Sequence, residues 1–186
     1  IPQYELTGYE ADDLIGTISR KCEADGWDCV VVTGDKDSLQ LITDHTKVKL
    51  VSTRMGQTTT KDMTPETFRE AYGFDPIHMI DLKALMGDSS DNIPGVPGIG
   101  EKTAMALVQE YGSIDTLYAQ MPDVHAKPAA LRKLQEGEEA ARHSYWLATI
   151  ITDAPLDFDP ADNLRQPFKP ELYDLFLRLE FQKLID

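Results

Sequence analysis

Gly87-Asp-Ser-Ser-Asp-Asn-Ile-Pro-Gly-Val-Pro-Gly-Ile-Gly-Glu-Lys-Thr-Ala104 brings two kinds of chemistry together. Asp88 and Asp91 stand three apart at the end of an apolar run, which suits a cation. Pro94, Gly95, Pro97, Gly98 and Gly100 then make a tight hairpin that opens a helix at Glu101-Lys102-Thr103. Glycine turns the backbone with no Cβ in the way. The first N–H groups of the helix lack intrahelical partners, and the dipole makes them an anion site. Lys102 adds a charge and Thr103 a hydroxyl donor. Glu101 before the lysine excludes a Walker A loop, and Thr103 in place of a third glycine excludes the dinucleotide fingerprint. Ile77–Met86 and Glu101–Tyr111 both have helical apolar spacing. Helix, glycine hairpin and helix over about 77–111 is the arrangement that grips a DNA phosphate backbone without reading bases. A plain Gly/Pro turn capping a helix is the alternative.

Outward from this stretch the chain divides in character. Residues 1–63 read as α/β and residues 64–186 as helical. Thr7-Gly8-Tyr9-Glu10 has capping-box spacing, with Thr7 at the N-cap, followed by the stripe Ala11, Leu14, Ile15, Ile18, Cys22 and a stop at Gly26. Cys29–Thr33 predicts a buried strand and Ser38–Ile42 a short helix. Lys47–Val51 and Gln57–Lys61 predict strands flanking a turn at Arg54-Met55-Gly56. Pro65 starts a helix that Gly73 ends, and Asp75-Pro76 starts the next, ended by Gly87. Ile114–Met121 and Lys127–Ile150 are helical, with a break near Gly137. Residues 152–167 read as a loop, and Pro170–Leu179 as a last amphipathic helix.

The chain has 186 residues and a net charge of −14. That charge is wrong for a protein that coats nucleic acid non-specifically, so any DNA contact must be local and offset by divalent cations. Two cysteines, Cys22 and Cys29, make no disulfide framework and point to a reduced, cytoplasmic setting. No signal pattern and no bilayer-length apolar run occurs. A start at Ile1 predicts a piece of a longer chain.

Three acidic clusters stand out: Glu10-Ala-Asp12-Asp13, Asp35-Lys-Asp37 and Asp88-Ser-Ser-Asp91. The second follows a strand, where α/β folds place ligands. If all three converge, their carboxylates need cations, and hard oxygen donors select Mg²⁺ or Mn²⁺. Each cluster has a plainer reading: a helix-dipole complement for the first, a turn and N-cap for the second, turn residues for the third. No cluster has the sixth-position glycine of an EF-hand. Strand-then-Asp-x-Asp also suits an aspartyl-phosphatase-like hydrolase with Asp35 as nucleophile, although Thr33-Gly34 intervene.

Gly8–Asp13, Thr33–Asp37, Leu85–Val96 and Gly98–Ala104, in this order and spacing, resemble the 5′-nucleases, in particular the 5′→3′ exonuclease domains that bacterial DNA polymerases carry. The resemblance covers nearly the whole chain. It implies a PIN-like α/β core, built on a central mostly parallel sheet, followed by a helix–hairpin–helix subdomain. Glu10, Asp12, Asp13, Asp35, Asp37, Asp88 and Asp91 are implied metal-site carboxylates, with Asp35, Asp37, Asp88 and Asp91 carrying catalysis. Gly95, Gly98, Ile99, Gly100, Lys102 and Thr103 are implied DNA contacts, and some relatives hold K⁺ on the hairpin carbonyls. The implied activity is removal of 5′ flaps and RNA primers from nicked or flapped duplex DNA, in bacterial replication and repair at the nucleoid. The resemblance implies hydrolysis with two ions, one to lower the pKa of an attacking water and both to stabilise charge on the phosphate and leaving oxygen. A polymerase domain is implied C-terminal to this chain. The family's domain begins before Ile1, in a part that carries the first strand, two further aspartates and a basic arch. A non-catalytic duplex-binding module is therefore the alternative for this chain alone, and its sheet is expected to expose an apolar edge beside Cys29–Thr33.

Overall fold

A computed structural model describes residues 2–164 and 167–185. Helix α1 (Ala11–Ala24) starts at Glu10, not Thr7. Thr7 has the right spacing, but so does Glu10 with Asp13, and that pair makes the reciprocal capping box one turn later. The chain then enters β1 (Cys29–Thr33), a single 3₁₀ turn (Asp37–Leu41), β2 (Thr46–Arg54) and β3 (Gln57–Met63). β1 pairs parallel with β2, and β2 antiparallel with β3, in the order β1-β2-β3. The expected mostly parallel sheet thus has one parallel pairing and an antiparallel edge. Met55 and Gly56, both at positive φ, make the two-residue turn that folds β3 back.

β1 is not wholly buried. Val31 faces the core at 6% exposure, while Val30 and Val32 lie open at 47% and 63%. Val30 and Val32 share one face of the sheet, which is left open there among the described residues, and β1 is also an edge strand.

The helices follow the sequence signals closely. α2 (Pro65–Tyr72) is capped by Thr64 and closed by a left-handed Gly73. A 3₁₀ turn (Pro76–His78) leads into α3 (Met79–Met86), then α4 (Glu101–Tyr111) and α5 (Ile114–Ala119). α6 (Pro128–Glu136) and α7 (Glu138–Ala148) meet at Gly137. α8 (Glu171–Arg178) is amphipathic but buries no side chain. The segment read as a loop over 152–167 does pack in part: Ala154 and Leu156 are buried against Leu14. Its residues 165 and 166 lie outside the described residues.

One apolar core runs from Val31 and Val48 of the sheet through Phe68 to Leu107 and Leu134. Phe68, fully buried, stacks on Tyr72 at 4.4 Å and meets Phe74 edge-on. α3 lies in this core and carries two buried charged residues, Asp81 and Lys83. Asp81 accepts from Ile114 N at 2.8 Å and pairs with His78 Nδ1 at 2.8 Å, which locks α3 to the start of α5. α7 is fixed to the 3₁₀ turn after β1 by Gln40, whose amide donates to Ala148 O at 2.9 Å and accepts from Ile150 N at 3.0 Å. Gln40 thus holds the end of α7 beside the turn that follows β1. No described helix is long and apolar enough to cross a membrane.

Candidate active site

The end of β1 sets the second acidic cluster by local hydrogen bonding. Thr33 Oγ1 accepts from Asp35 N at 3.0 Å, and Asp35 Oδ1 accepts from Asp37 N at 2.9 Å. The third cluster is held by a small antiparallel bridge. Asp88 N donates to Ile93 O at 2.9 Å, and Ile93 N to Asp88 O at 2.8 Å. Asn92, at φ 58°, turns the chain between them.

The three clusters meet. Glu10, Asp12, Asp13, Asp35, Asp37 and Asp91 line one cleft of about 330 Å³, with Ile93, Leu147 and Ile150 as its apolar wall. Asp88 lines an adjoining cleft of about 620 Å³ together with Asp35, Asp37, Asp91, Lys83 and Glu101. Oxygens of Asp37, Asp88 and Asp91 lie within 4.8 Å of one another.

The residues of the first cluster are not equivalent. Asp13 accepts from Glu10 N at 3.1 Å and from Ile151 N at 2.9 Å, and Glu10 caps the Asp13 amide in return. Both therefore hold the helix start, and Asp13 also holds the 150s segment, as well as lining the cleft, so the plainer reading of this cluster has substance. Asp12 is held above the usual carboxylate range by burial and by the charges of Asp35, Glu10, Asp13 and Asp91. That repulsion spans all three clusters.

Lys83 was not foreseen as a site residue. It reaches from α3 into the carboxylates at 5% exposure. Its Nζ contacts Asp37, lies 2.8 Å from Asp88 and 3.5 Å from Asp91. Burial opposes its charge, but Asp37 and Asp88 prevail and raise its pKa. Lys83 and the Ser90 amide and hydroxyl hold Asp88 down at about 2. At Asp37 burial outweighs Lys83, and its pKa is pushed up to about 6. A lone lysine inside the apolar run Ile80–Met86 was the available signal, because a buried charge requires a partner.

The glycine hairpin is a site of backbone. α4 begins at Gly100 with no side-chain cap. Gly98, Gly100 and Lys102 are exposed and Thr103 is half-buried. Gly95 and Ile99, expected at the DNA contact, are buried instead. Gly95 N donates to Ser144 Oγ at 2.9 Å, and Ile99 plugs the core. They build the hairpin rather than form its outer surface. Lys133, also unforeseen, donates to Gly98 O at 3.1 Å and adds a cation at the hairpin.

The ligand atoms that crowd the cleft are mainly carboxylate oxygens, with the buried Lys83 ammonium among them. That donor set fits hard divalent ions such as Mg²⁺ or Mn²⁺.

The 5′-3′ exonuclease N-terminal resolvase-like domain matches residues 1–73, and the 5′-3′ exonuclease C-terminal SAM fold matches residues 74–171. DNA polymerase I of Bacillus subtilis is 45% identical over the whole chain, and the match takes up 21% of that protein. The chain therefore spans about a fifth of the length of the curated relatives it matches. Among solved structures, T5 5′-exonuclease with zinc ions bound is 27% identical with a TM-score of 0.69, over 82% of this chain and 54% of that one. A bacteriophage T5 flap endonuclease in complex with DNA and metal ions matches to the same degree. By the two domain matches, which together take in residues 1–171, this chain belongs to the 5′-3′ exonuclease family.

Proposed function

We propose that this chain is the nuclease portion of a structure-selective 5′→3′ exonuclease and flap endonuclease that hydrolyses phosphodiesters in duplex DNA with a 5′ flap or nick. RNA primers are included among its substrates, and a polymerase domain follows in the parent protein, a bacterial enzyme of replication and repair at the nucleoid. The observation that carries this reading is the convergence of three distant acidic clusters on one cleft, close to the exposed start of α4. Family membership supports it and gives no support to an aspartyl-phosphatase.

Asp12, Asp35, Asp37, Asp88 and Asp91 are the proposed ligands, with Glu10 and Asp13 holding the rim and contributing outer oxygens. Two divalent ions bound there supply charge neutralisation and Lewis acidity. The protein's own part is placement. The first turn of α4, with Lys102 and Thr103, holds a backbone phosphate by amide donors and positive charge. Leu147 and Ile150 keep one wall of the cleft apolar and limit water beside the carboxylates. Gly98 O already accepts a cationic donor, and this supports a K⁺ site in competition with Lys133. The proposed division falls at residues 63/64, between the α/β part and the helical part.

A flap-cleavage assay on the parent-length protein in Mg²⁺ tests the proposal. Asp35→Ala and Asp88→Ala should each lower cleavage by more than about a hundredfold, because even outer-shell partners of metal ligands are worth 10–100-fold. Cleavage left intact by both changes would remove the site assignment. A second reading, duplex binding without cutting by this chain alone, is favoured by the hairpin of residues 93–103, which presents Gly98, Gly100, Lys102 and Thr103 outward with Lys133 beside them. Cleavage by the isolated chain would end it.

A further inference from the structure

Lys83 has a place that an ordinary surface ion pair does not. It projects from a buried turn of α3, and its ammonium touches one carboxylate from each of two separate segments and a third at 3.5 Å. The same three carboxylates have oxygens within 4.8 Å of one another, close enough to share a single ion. The three carboxylates carry three negative charges; the ammonium offsets one of them, and a divalent cation in its place would offset two. Without a counter-cation the three would repel strongly in so small a space.

We propose that Lys83 is a positioning residue that holds the place of a divalent cation. Its ammonium keeps Asp37, Asp88 and Asp91 gathered before an ion arrives, and it withdraws when an ion takes them. This rests on the reading of the cleft as a divalent-cation site. Withdrawal is feasible because a lysine is a point charge on a flexible four-carbon stem. It also has somewhere to go: the cleft of about 620 Å³ that Lys83 lines contains Glu101, a carboxylate outside the three. Lys83 therefore lowers the intrinsic affinity of that subsite while keeping it assembled. A lysine that merely tied α3 to its neighbours would leave ion affinity unchanged.

Mn²⁺ binding by this chain, followed by titration calorimetry and by the EPR signal of free Mn²⁺ at pH 8, tests the proposal. Lys83→Met removes the competing charge and should tighten Mn²⁺ at one subsite by at least about fivefold, the effect of one unit charge at ~4 Å under water-like screening. Lys83→Arg keeps the charge and should retain the weaker affinity. In EDTA, Lys83→Met should melt below the wild type, and Mn²⁺ should raise its Tm by more than it raises the wild type's. If Lys83→Met does not fold in EDTA, Lys83→Gln serves in its place, with the same expected tightening. Affinity that is unchanged or weaker in the uncharged variants, or tightened equally by Arg, overturns the role of Lys83 alone. No Mn²⁺ bound by the wild type or any variant overturns both this role and the metal reading of the cleft.

Discussion

The acidic cleft and the glycine hairpin are neighbours built on opposite plans. The charged side chains of the cleft come from three stretches far apart in sequence: the start of α1, the end of β1, and α3 with the loop after it. The hairpin is made of backbone from one unbroken stretch, and its residues matter chiefly for what they lack. One region can lose a side chain and keep its shape, because Asp35 and Asp91 do not fill the core. The other can lose its shape from a single added methyl group. The proposed chemistry is concentrated where the fold tolerates change, and the proposed grip on DNA hangs on a turn, at Gly95, that does not.

The largest expected effect tests that contrast directly. A Cβ on Gly95, at φ 62°, would stand 2.3 Å from Gly87 N and 2.6 Å from Met86 C. Both are backbone atoms that cannot turn aside. Gly95→Ala should lower unfolding stability by about 3 kcal/mol or more, the upper range for overpacking with backbone strain. Urea unfolding of the metal-free chain measures it. A loss below about 1 kcal/mol would mean that the hairpin yields and that the contrast is false.

The next effect lies in the cleft and has a sign that can be worked out. Asp88, held at about 2 by Lys83 and Ser90, contributes stability that is present above the ordinary carboxylate pKa of about 4 and lost as pH falls toward 2. Asp37, held at about 6 by burial, binds its proton more tightly folded than unfolded. Its contribution is present below pH about 4 and lost as pH rises to 6. Asp12 and Asp81, both raised first by burial, act in the same direction as Asp37. In EDTA, stability should therefore peak near pH 4 and fall by roughly 1–2 kcal/mol toward pH 7 after solvent screening. Unfolding free energies from pH 3 to 7 that climb without a maximum would contradict the charge balance assigned to the cleft.

A smaller change should separate fold from ion binding. Asp12→Asn removes one charge from the repelling group and, among the described residues, disturbs none of the hydrogen bonds that Glu10 and Asp13 make at the helix start. Metal-free stability should stay level or rise by under about 1 kcal/mol, while Mn²⁺ affinity falls. A drop in stability with unchanged affinity would turn Asp12 into a structural residue.

How much of this was legible in the sequence follows the same division. The bounds of α4 and the ends of α2 are written locally, in Pro65, Gly73, Gly100 and Gly112, so sequence reading recovers them. The hairpin is contiguous and therefore visible. Its inner and outer faces are not, because nothing in Pro-Gly-Val-Pro-Gly-Ile-Gly says that Gly95 meets Ser144 while Gly98 faces solvent. The carboxylates were visible as residue types, and their convergence could only be supposed. Lys83 was invisible as a partner, since Asp37 lies forty-six positions away and only tertiary structure joins them. The start of α1 was misplaced because Thr7 and Glu10 offer equivalent caps locally. The choice is made by Asp13, which also binds Ile151 N. The burial of β1 was overstated because a run of valines does not reveal how many of its faces are covered.

The smallest effect lies inside the hairpin itself. Gly100 and Gly95 differ by five positions and share a residue type, yet a Cβ on Gly100 would meet nothing within 4 Å, and its φ of −95° suits any residue. Gly100→Ala should cost only a few tenths of a kcal/mol to about 1 kcal/mol, the difference between glycine and alanine as an N-cap. Its effect should appear instead in binding, because the new methyl group stands beside the first amides of α4, where a phosphate would approach. Filter binding to a nicked duplex should therefore weaken for Gly100→Ala by a similar factor for all sequences. Lys102→Ala should weaken it likewise and lower the salt slope by ~1, whereas Gly100→Ala, which removes no charge, should leave that slope in place. A lowered slope for Gly100→Ala would show that the methyl group displaces charged contacts as well, and the hairpin would then act through its lysines rather than through its backbone.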